Sequence, residues 1–376
     1  MESHPSWNMS GSDAFESVML NMSLICGTGN GSDQPGCEEL LPAYDRQLVE
    51  RVVSVVVPLF FGTIGILGLV GNSLVVIVVL ANPGMRSPTE ILITNLAVAD
   101  LLFVLFCIPF TATDFVLPYW PFGNVWCKIV QYLIIVTACA SVWTLVLMSL
   151  DRCLAVVHPI ASRSVRTDFH AFLAICIAWG VILTASVPTL IIHGEVSFKR
   201  RAFLESRDVD YSSPENLTAC RILPDYNWPL FQITFFLVSY VVPLGLICGL
   251  YICMLVRLWR GTRTSAESRR GKRRATRLVI VVVAVFAICW CPLQVILVTK
   301  SLDLYPLTST TIMIQIASHV LAYTNSCVNP ILYAFLCEKF RRAFRKITYF
   351  RPRHETQHAL GPQTRTTRAA SSGNVL

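Results

Sequence analysis

The run VVSVVVPLFFGTIGILGLVGNSLVVIVVL, from Val52 to Leu80, carries no charged residue. A helix needs about 20 apolar residues to cross a bilayer, so this run is long enough to span one. Three more read the same way: Phe169 to Ile192, Leu230 to Leu258 and Leu278 to Val298. The chain of 376 residues is 54% hydrophobic and only 14% charged, where a soluble domain carries about a quarter. The net charge of +8 does not point to nucleic acid, because the basic residues cluster beside apolar runs and not on a polar domain.

Working outward from these runs, seven spans are drawn at 52–81, 88–117, 124–157, 168–192, 228–258, 272–300 and 308–336. The fold class is therefore an all-α membrane protein, a seven-transmembrane helix bundle. The second, third and seventh spans are expected to be less apolar than the others, as helices lining a bundle interior can carry polar residues. Residues 1–51 read as an extracellular glycosylated tail and 52–336 as the bundle. Residues 337–348 read as a short amphipathic eighth helix, and 349–376 as a cytoplasmic tail. Phe340, Phe344 and a basic face suit that eighth helix to the membrane surface. Met1 to Glu50 is polar and acidic, so no cleavable signal is expected and the first apolar helix serves as the targeting signal.

Orientation follows from Lys and Arg near span ends. The stretch from Arg257 to Arg277 is dense in them, and so is Lys339 to Lys346. An odd number of spans puts both on one side, the cytoplasmic one, and leaves the amino terminus outside. Four glycosylation sequons, at Asn8, Asn21, Asn30 and Asn216, all fall on that outside. Of the 14 cysteines, Cys107, Cys139, Cys176, Cys248, Cys253, Cys289, Cys291 and Cys327 lie in apolar runs and read as small buried hydrophobes. Cys26, Cys37, Cys127 and Cys220 lie near extracellular ends.

An ionisable residue inside a span marks function by default. Asp100 is the clearest, roughly 18 Å from the cytoplasmic end of its span at 1.5 Å per residue. The same arithmetic puts Asn72, Ser141, Asn325 and Asn329 at roughly 10–16 Å, so polar residues from four helices meet near one depth. The cluster reads as a site for a small hydrated cation such as sodium, whose preferred ligands are oxygens, or as a hydrogen-bonded network that holds helices together. Asp151-Arg152-Cys153 closes the third span. Its charges either snorkel to the interface or form a latch released on activation. Pro58, Pro109, Pro188, Pro243, Pro292 and Pro330 lie inside spans, where proline makes hinges.

These landmarks together resemble the rhodopsin-like (class A) G-protein-coupled receptors over about residues 50 to 348. They are Gly71-Asn72; Asn95-Leu-Ala-Val-Ala-Asp100; Cys127 and Asp151-Arg152-Cys153; Trp179; Pro243 with Tyr251; Phe286 and Cys289-Trp290-Cys291-Pro292; and Asn329-Pro330-Ile331-Leu332-Tyr333. The resemblance implies a sodium pocket at Asp100, Ser141, Asn325 and Asn329, the ion acting as an allosteric modulator with no other cofactor. It implies a disulfide between Cys127 and Cys220. It also implies activation and coupling roles for Asp151, Arg152, Tyr251, Phe286, Trp290, Pro292, Asn329, Pro330 and Tyr333, with Arg152 facing the G protein. Cys153 departs from the family's usual tyrosine, and the eighth helix lacks a cysteine at its far end for palmitoylation.

Amine receptors of this family carry an aspartate seven residues after the Cys127 equivalent. Here Ile134 stands there, so an amine ligand is disfavoured. Opsins need a lysine where this chain has Tyr323, so light sensing is disfavoured too. The stretch Pro109 to Lys128 and the segment Ser149-Leu-Asp-Arg-Cys-Leu-Ala-Val-Val-His-Pro159 are similar to the allatostatin-A receptors of arthropods, relatives of galanin receptors. That likeness implies a short amidated neuropeptide, with candidate contacts at Asp114, Gln131, Ile134, Gln294, His319 and Tyr323. It further implies an inhibitory Gi/o protein as partner, and kinases and arrestin at tail positions such as Thr356, Thr364 and Ser371. The implied mechanism is a population shift. The peptide favours an arrangement with the sixth helix swung out near Pro292, the sodium site collapsed and the mouth near Arg152 open. The alternative is a galanin-, opioid- or somatostatin-like peptide receptor. More remote is a transporter or channel, which would show internal repeats or a charge-lined pore. No catalytic constellation is present, so the chain is not expected to be an enzyme.

Overall fold

A computed structural model describes residues 43–348, apart from 83, 86, 118, 200–215, 261–265 and 307. Asn8, Asn21, Asn30, Cys26, Cys37 and the hydroxyl residues of the tail lie outside the described residues. Helices make up seven spans. The first is Ala43–Ala81. The second is Pro88–Phe106 continued by Ile108–Val116. The third is Gly123–Val157, and the fourth is Asp168–Ala185 with Pro188–Ile192. The fifth runs from Trp228–Phe236 through a π-helical turn at Leu237–Val241 into Val242–Arg260. The sixth is Ala266–Ser301 and the seventh Ser309–Leu336. An eighth helix, Glu338–Thr348, follows.

The boundaries differ from the sequence reading where charge misled it. The first helix begins at Ala43 and the sixth at Ala266. Charged residues continue a helix beyond the hydrocarbon layer without ending it, because their propensity is good. Breaks follow proline instead. Cys107 interrupts the second span ahead of Pro109, and Ser186 and Val187 interrupt the fourth ahead of Pro188. Proline has no N–H to donate and its ring crowds the preceding turn, so the helical hydrogen-bond ladder lapses there.

Six of the helices are long and apolar enough to cross a membrane. The seventh is leaner, since Gln315, His319, Asn325 and Asn329 interrupt its apolar run. The second and third spans are as apolar as the fourth and fifth over their best stretches, contrary to expectation. They are interior helices all the same, being more buried by protein than the first, fourth, fifth and sixth. An interior helix in this bundle is apolar with a few polar residues at chosen depths. The cysteines divide in a similar way. Cys107, Cys139, Cys153, Cys289 and Cys327 are buried in protein. Cys176, Cys248, Cys253 and Cys291 are exposed on the outside of the helices. Reading all of the in-span cysteines as core residues was thus half wrong, since a lipid-facing position is as apolar as a core one.

Packing is close where motifs require it. A Cβ added to Gly71 would sit 3.0 Å from the Pro330 ring, so the first span meets the seventh through a glycine. Asn72 then donates to the Ser326 carbonyl at 2.8 Å. Between the second, third and fourth spans, Trp179 Nε1 donates to Asn95 Oδ1 at 2.9 Å. The Asn95 amide passes the chain on to Thr144 at 2.7 Å.

On the outer side, β1 (His193–Lys199) and β2 (Asn216–Ile222) pair antiparallel, with Glu195 opposite Cys220. The Cys127–Cys220 disulfide ties this hairpin to the top of the third span. Asn124 Oδ1 accepts from the Glu195 amide at 3.0 Å, and Trp120 backbone N–H donates to the Thr218 carbonyl at 2.7 Å. His193 is buried at the hairpin's foot, donating from Nδ1 to the Thr189 carbonyl. Burial pushes its pKa down to about 4, so it stays neutral at pH 7 and adds no charge to the outer mouth.

The disulfide closes a loop with a sequence separation of 93. Chain entropy alone makes such a link worth about 2–5 kcal/mol. Cys220→Ser is therefore expected to lower the thermal unfolding midpoint of detergent-purified protein by several degrees. An unchanged midpoint would show that the hairpin is held by its hydrogen bonds alone.

Candidate functional site

Near the C-terminal end of the third span the Asp151 carboxylate is only 7% exposed and Arg152 13%. Charges this well covered are not snorkelling into solvent. Arg152 Nε donates to Asp151 Oδ2 at 3.1 Å, and its terminal nitrogen bonds both Asp151 and the Thr89 hydroxyl. Thr89 in turn donates to Asp151 Oδ2 at 2.9 Å. The other carboxylate oxygen takes a second guanidinium, with Arg166 Nε at 2.7 Å. Asp151 thus joins the second span, the third span and the loop after it. Neither Thr89 nor Arg166 stood out in the sequence. Each is ordinary at its own position and acquires its role only when folding brings it to Asp151.

Mid-bundle, Asp100 is fully buried. Asn329 Nδ2 donates to its Oδ2 at 2.8 Å, and Ser141 Oγ to its Oδ1 at 3.2 Å. Ser326 stands against the same carboxylate. Asn325 and Asn72, expected in this cluster, do not bond to Asp100. Asn72 is committed to the Gly68 and Ser326 carbonyls. Asn325 is buried with its Oδ1 unpartnered. Depth counting along each span carried no information about rotation around its axis.

Along the sixth span Phe286 and Trp290 lie ring to ring at 6.1 Å, above the bend at Pro292 in sequence order. Tyr251 is half-buried beside Arg152. Tyr333 is fully buried, its hydroxyl unpartnered, and its ring 6.4 Å from Phe340 of the eighth helix.

The six outer candidates do not form one cluster. Asp114 pairs with Arg221 of β2 at 3.7 Å, both 5% exposed. Gln131 Nε2 lies 3.8 Å from the Cys220 sulfur. Ile134 packs beside both the disulfide cluster and the main core. Tyr323 donates to Thr111 at 3.2 Å and meets Phe61 and Phe103 edge to face, so it braces the first, second and seventh spans. His319 stacks edge to face on Phe115 and Tyr323. Gln294 bonds Ser239 of the fifth span. Arg221 was missed. Its place beside Cys220, a cysteine already assigned to the top of the third span, was the available signal.

A model of the family described as 7 transmembrane receptor (rhodopsin family) matches residues 71–333. The chain belongs to that family. It is a receptor and not an enzyme, and a multi-pass protein of the plasma membrane. An allatostatin-A receptor of Bombyx mori is 54% identical over 367 residues, covering 96% of this chain and 97% of that one. A galanin receptor type 2 of Mus musculus is 38% identical over 85% of this chain and 82% of its own. A galanin-like G-protein coupled receptor of Caenorhabditis elegans is 36% identical over 82% of this chain and 77% of its own. Seen within the family, the receptor's three polar centres stack along the bundle. Along the second span the Asp151 knot comes first, at Thr89, then Asp100, and last the Asp114–Arg221 pair.

The inner knot gives a test. Removing one guanidinium from a partly buried pair costs about 1 kcal/mol, or roughly a fivefold shift in a two-state equilibrium. Arg166→Ala is expected to raise ligand-free nucleotide exchange by a G protein about two- to fivefold in membranes. Unchanged basal exchange would show that Arg166 does not bear on the resting state.

Proposed function

We propose that this receptor responds to an amidated neuropeptide of the allatostatin-A type and signals through a heterotrimeric G protein of the inhibitory Gi/o class. The observation that carries this reading is the 54% identity, over nearly the whole of both chains, to a protein named as an allatostatin-A receptor. Family membership supports the coarser part, a receptor that engages a G protein. The amino terminus is outside and the basic segments inside, following the charge rule.

In this reading the peptide enters beneath the hairpin and meets some of Asp114, Gln131, Ile134, Gln294, His319 and Tyr323. Its binding favours an arrangement in which the sixth span pivots at Pro292 and the Asp151 knot lets Arg152 go. A ligand shifts such an equilibrium only by its difference in affinity for the two states. Arg152 then turns from its own aspartate to the G protein, with Tyr251 and Tyr333 filling the space it leaves. Receptor kinases and arrestin act later on the cytoplasmic tail.

The middle centre suits a sodium ion. Asp100 supplies the charge and Ser141 a hydroxyl oxygen. The buried Oδ1 atoms of Asn325 and Asn329 have no partner among the described residues, which is how oxygen ligands present themselves to a hard cation. When bound, the ion neutralises the carboxylate and favours the resting packing of the second, third and seventh spans.

The galanin receptors, at 36–38% identity, support a second reading with a galanin-like peptide. Cells expressing the receptor, given amidated neuropeptides at nanomolar to micromolar dose, separate the two. A potent fall in cAMP with peptides ending in Phe-Gly-Leu-amide supports the first. Silence there with a response to galanin-like peptides supports the second, and a calcium response without cAMP inhibition would displace Gi/o. For the ion, Asp100→Asn is expected to abolish most of the effect of sodium on agonist affinity. Full sodium sensitivity in that variant would sink the assignment.

A further inference from the structure

Gln294 is 1% exposed. Its Nε2 donates to the Ser239 hydroxyl at 3.1 Å, and its Oε1 has no partner. The two ends of a carboxamide differ little in shape, so their partners have to assign them. Ser239 decides the matter here. Its single hydroxyl proton goes to the Phe235 carbonyl at 2.7 Å, so toward Gln294 it can only accept. A flipped Gln294 would set two acceptors against each other. The unfilled end is therefore an acceptor, and whatever fills it must bring an N–H or O–H.

The position of Ser239 is built. It lies on the π-helical turn Leu237–Val241, a distortion found often at functional sites. On the sixth span, Gln294 lies four residues past Trp290, on the same face. Trp290 is also buried, and its Nε1 donor has no partner. An unfilled acceptor and an unfilled donor thus follow each other along one helix face, roughly 6 Å apart in rise. Leaving such groups buried and unmet destabilises the resting receptor, and a ligand that meets both recovers that cost.

A primary carboxamide carries the complement of each, an N–H for Gln294 and a carbonyl oxygen for Trp290. A carboxylate carries acceptors only. It can take the Trp290 N–H but sets a charged oxygen against the Gln294 oxygen where both side chains are buried. Discrimination is strong where a buried polar group is left unmet by the wrong ligand.

We infer that Gln294, with Trp290 one turn deeper, forms the subsite for the C-terminal carboxamide of the peptide and selects amidated peptide over the free acid. This rests on the proposed reading of the receptor as one for an amidated peptide. Gln294 acts by direct contact, and Ser239 positions it.

The test uses the full-length receptor in cells at matched surface expression, with one Phe-Gly-Leu-ending peptide made as amide and as free acid. The readout is the ratio of their potencies. Wild type is expected to favour the amide by at least about 100-fold. Gln294→Leu removes the acceptor and should weaken the amide about tenfold or more while sparing the acid, so the ratio falls about tenfold or more. Gln294→Glu keeps an acceptor in place and should hold the ratio at or above wild type. A role in packing alone would weaken both peptides together, so an unchanged ratio in Gln294→Leu overturns the subsite. A wild type that responds equally to both forms overturns it as well. If Gln294→Leu does not reach the surface, Gln294→Glu decides, and a collapsed ratio there overturns the inference. A wild type silent to the amide overturns the underlying reading and the subsite with it.

Discussion

Hydrocarbon offers no water, so each polar group that enters the bundle must find its partner in protein. The receptor meets this demand in two ways, and the difference organises the molecule. Hydroxyl side chains bond within their own helix, to the carbonyl four residues back. Thr63, Thr94, Thr144, Thr234, Ser318 and Thr324 all do so. Such a bond satisfies the hydroxyl proton within its own helix and leaves the oxygen free to accept, as Thr144 does from Asn95. Carboxylates and carboxamides carry more than one bonding atom, and they cross between helices. Asn72, Asn95, Asp100, Asn329 and Gln294 each bond to a different span. The positions of a handful of Asn, Asp and Gln residues therefore set which helices lie together and at what rotation.

The same rule explains where the receptor can move. A helix pair joined by a buried crossing bond parts only if both groups find new partners. The Asp151 knot is the largest of these joints, with two guanidiniums and a hydroxyl on one carboxylate. Pairs of this kind are weak sources of net stability, because desolvation offsets much of the attraction. Their value is to hold one arrangement until a competing partner arrives. Were Arg152 to leave, Asp151 would still have Arg166 and Thr89 as partners, so release need not strand a buried charge. That makes the knot a joint with a detachable member and not a simple ion pair.

The family and the helical bundle were legible in the sequence, because they depend on residue types at fixed spacings and on the lengths of apolar runs. The Cys127–Cys220 bridge, expected from the resemblance, is present. What could not be read was rotation and reach. Asn72 was grouped with Asp100 yet bonds the Gly68 and Ser326 carbonyls, and the candidates Asp114, Gln131 and Gln294 each meet a different partner. Lipid-facing and core cysteines look alike in a run of apolar neighbours, since bilayer and protein interior exert the same selection on them. Arg166 and Arg221 could be placed only by the fold, the one by the loop's return to the third span and the other by the hairpin.

Buried groups that remain unpartnered are the complement of these joints. Among the described residues, Trp290 Nε1, Gln294 Oε1, Asn325 Oδ1, Asn329 Oδ1 and the Tyr333 hydroxyl all lack a protein partner. Each loses free energy where it stands, and they follow the inner faces of the sixth and seventh spans, the helices bearing Pro292 and Pro330. Others lie elsewhere, with Asn72 Oδ1 on the first span and Trp228 Nε1 and Gln232 Nε2 on the fifth, while crossing bonds from Gln294 to Ser239 and from Tyr240 to the Ala287 carbonyl join the sixth span to the fifth. A ligand, an ion or a rearranged helix that fills such unpartnered atoms lowers the free energy of a different arrangement, and it does so without breaking the bonds that hold the fold.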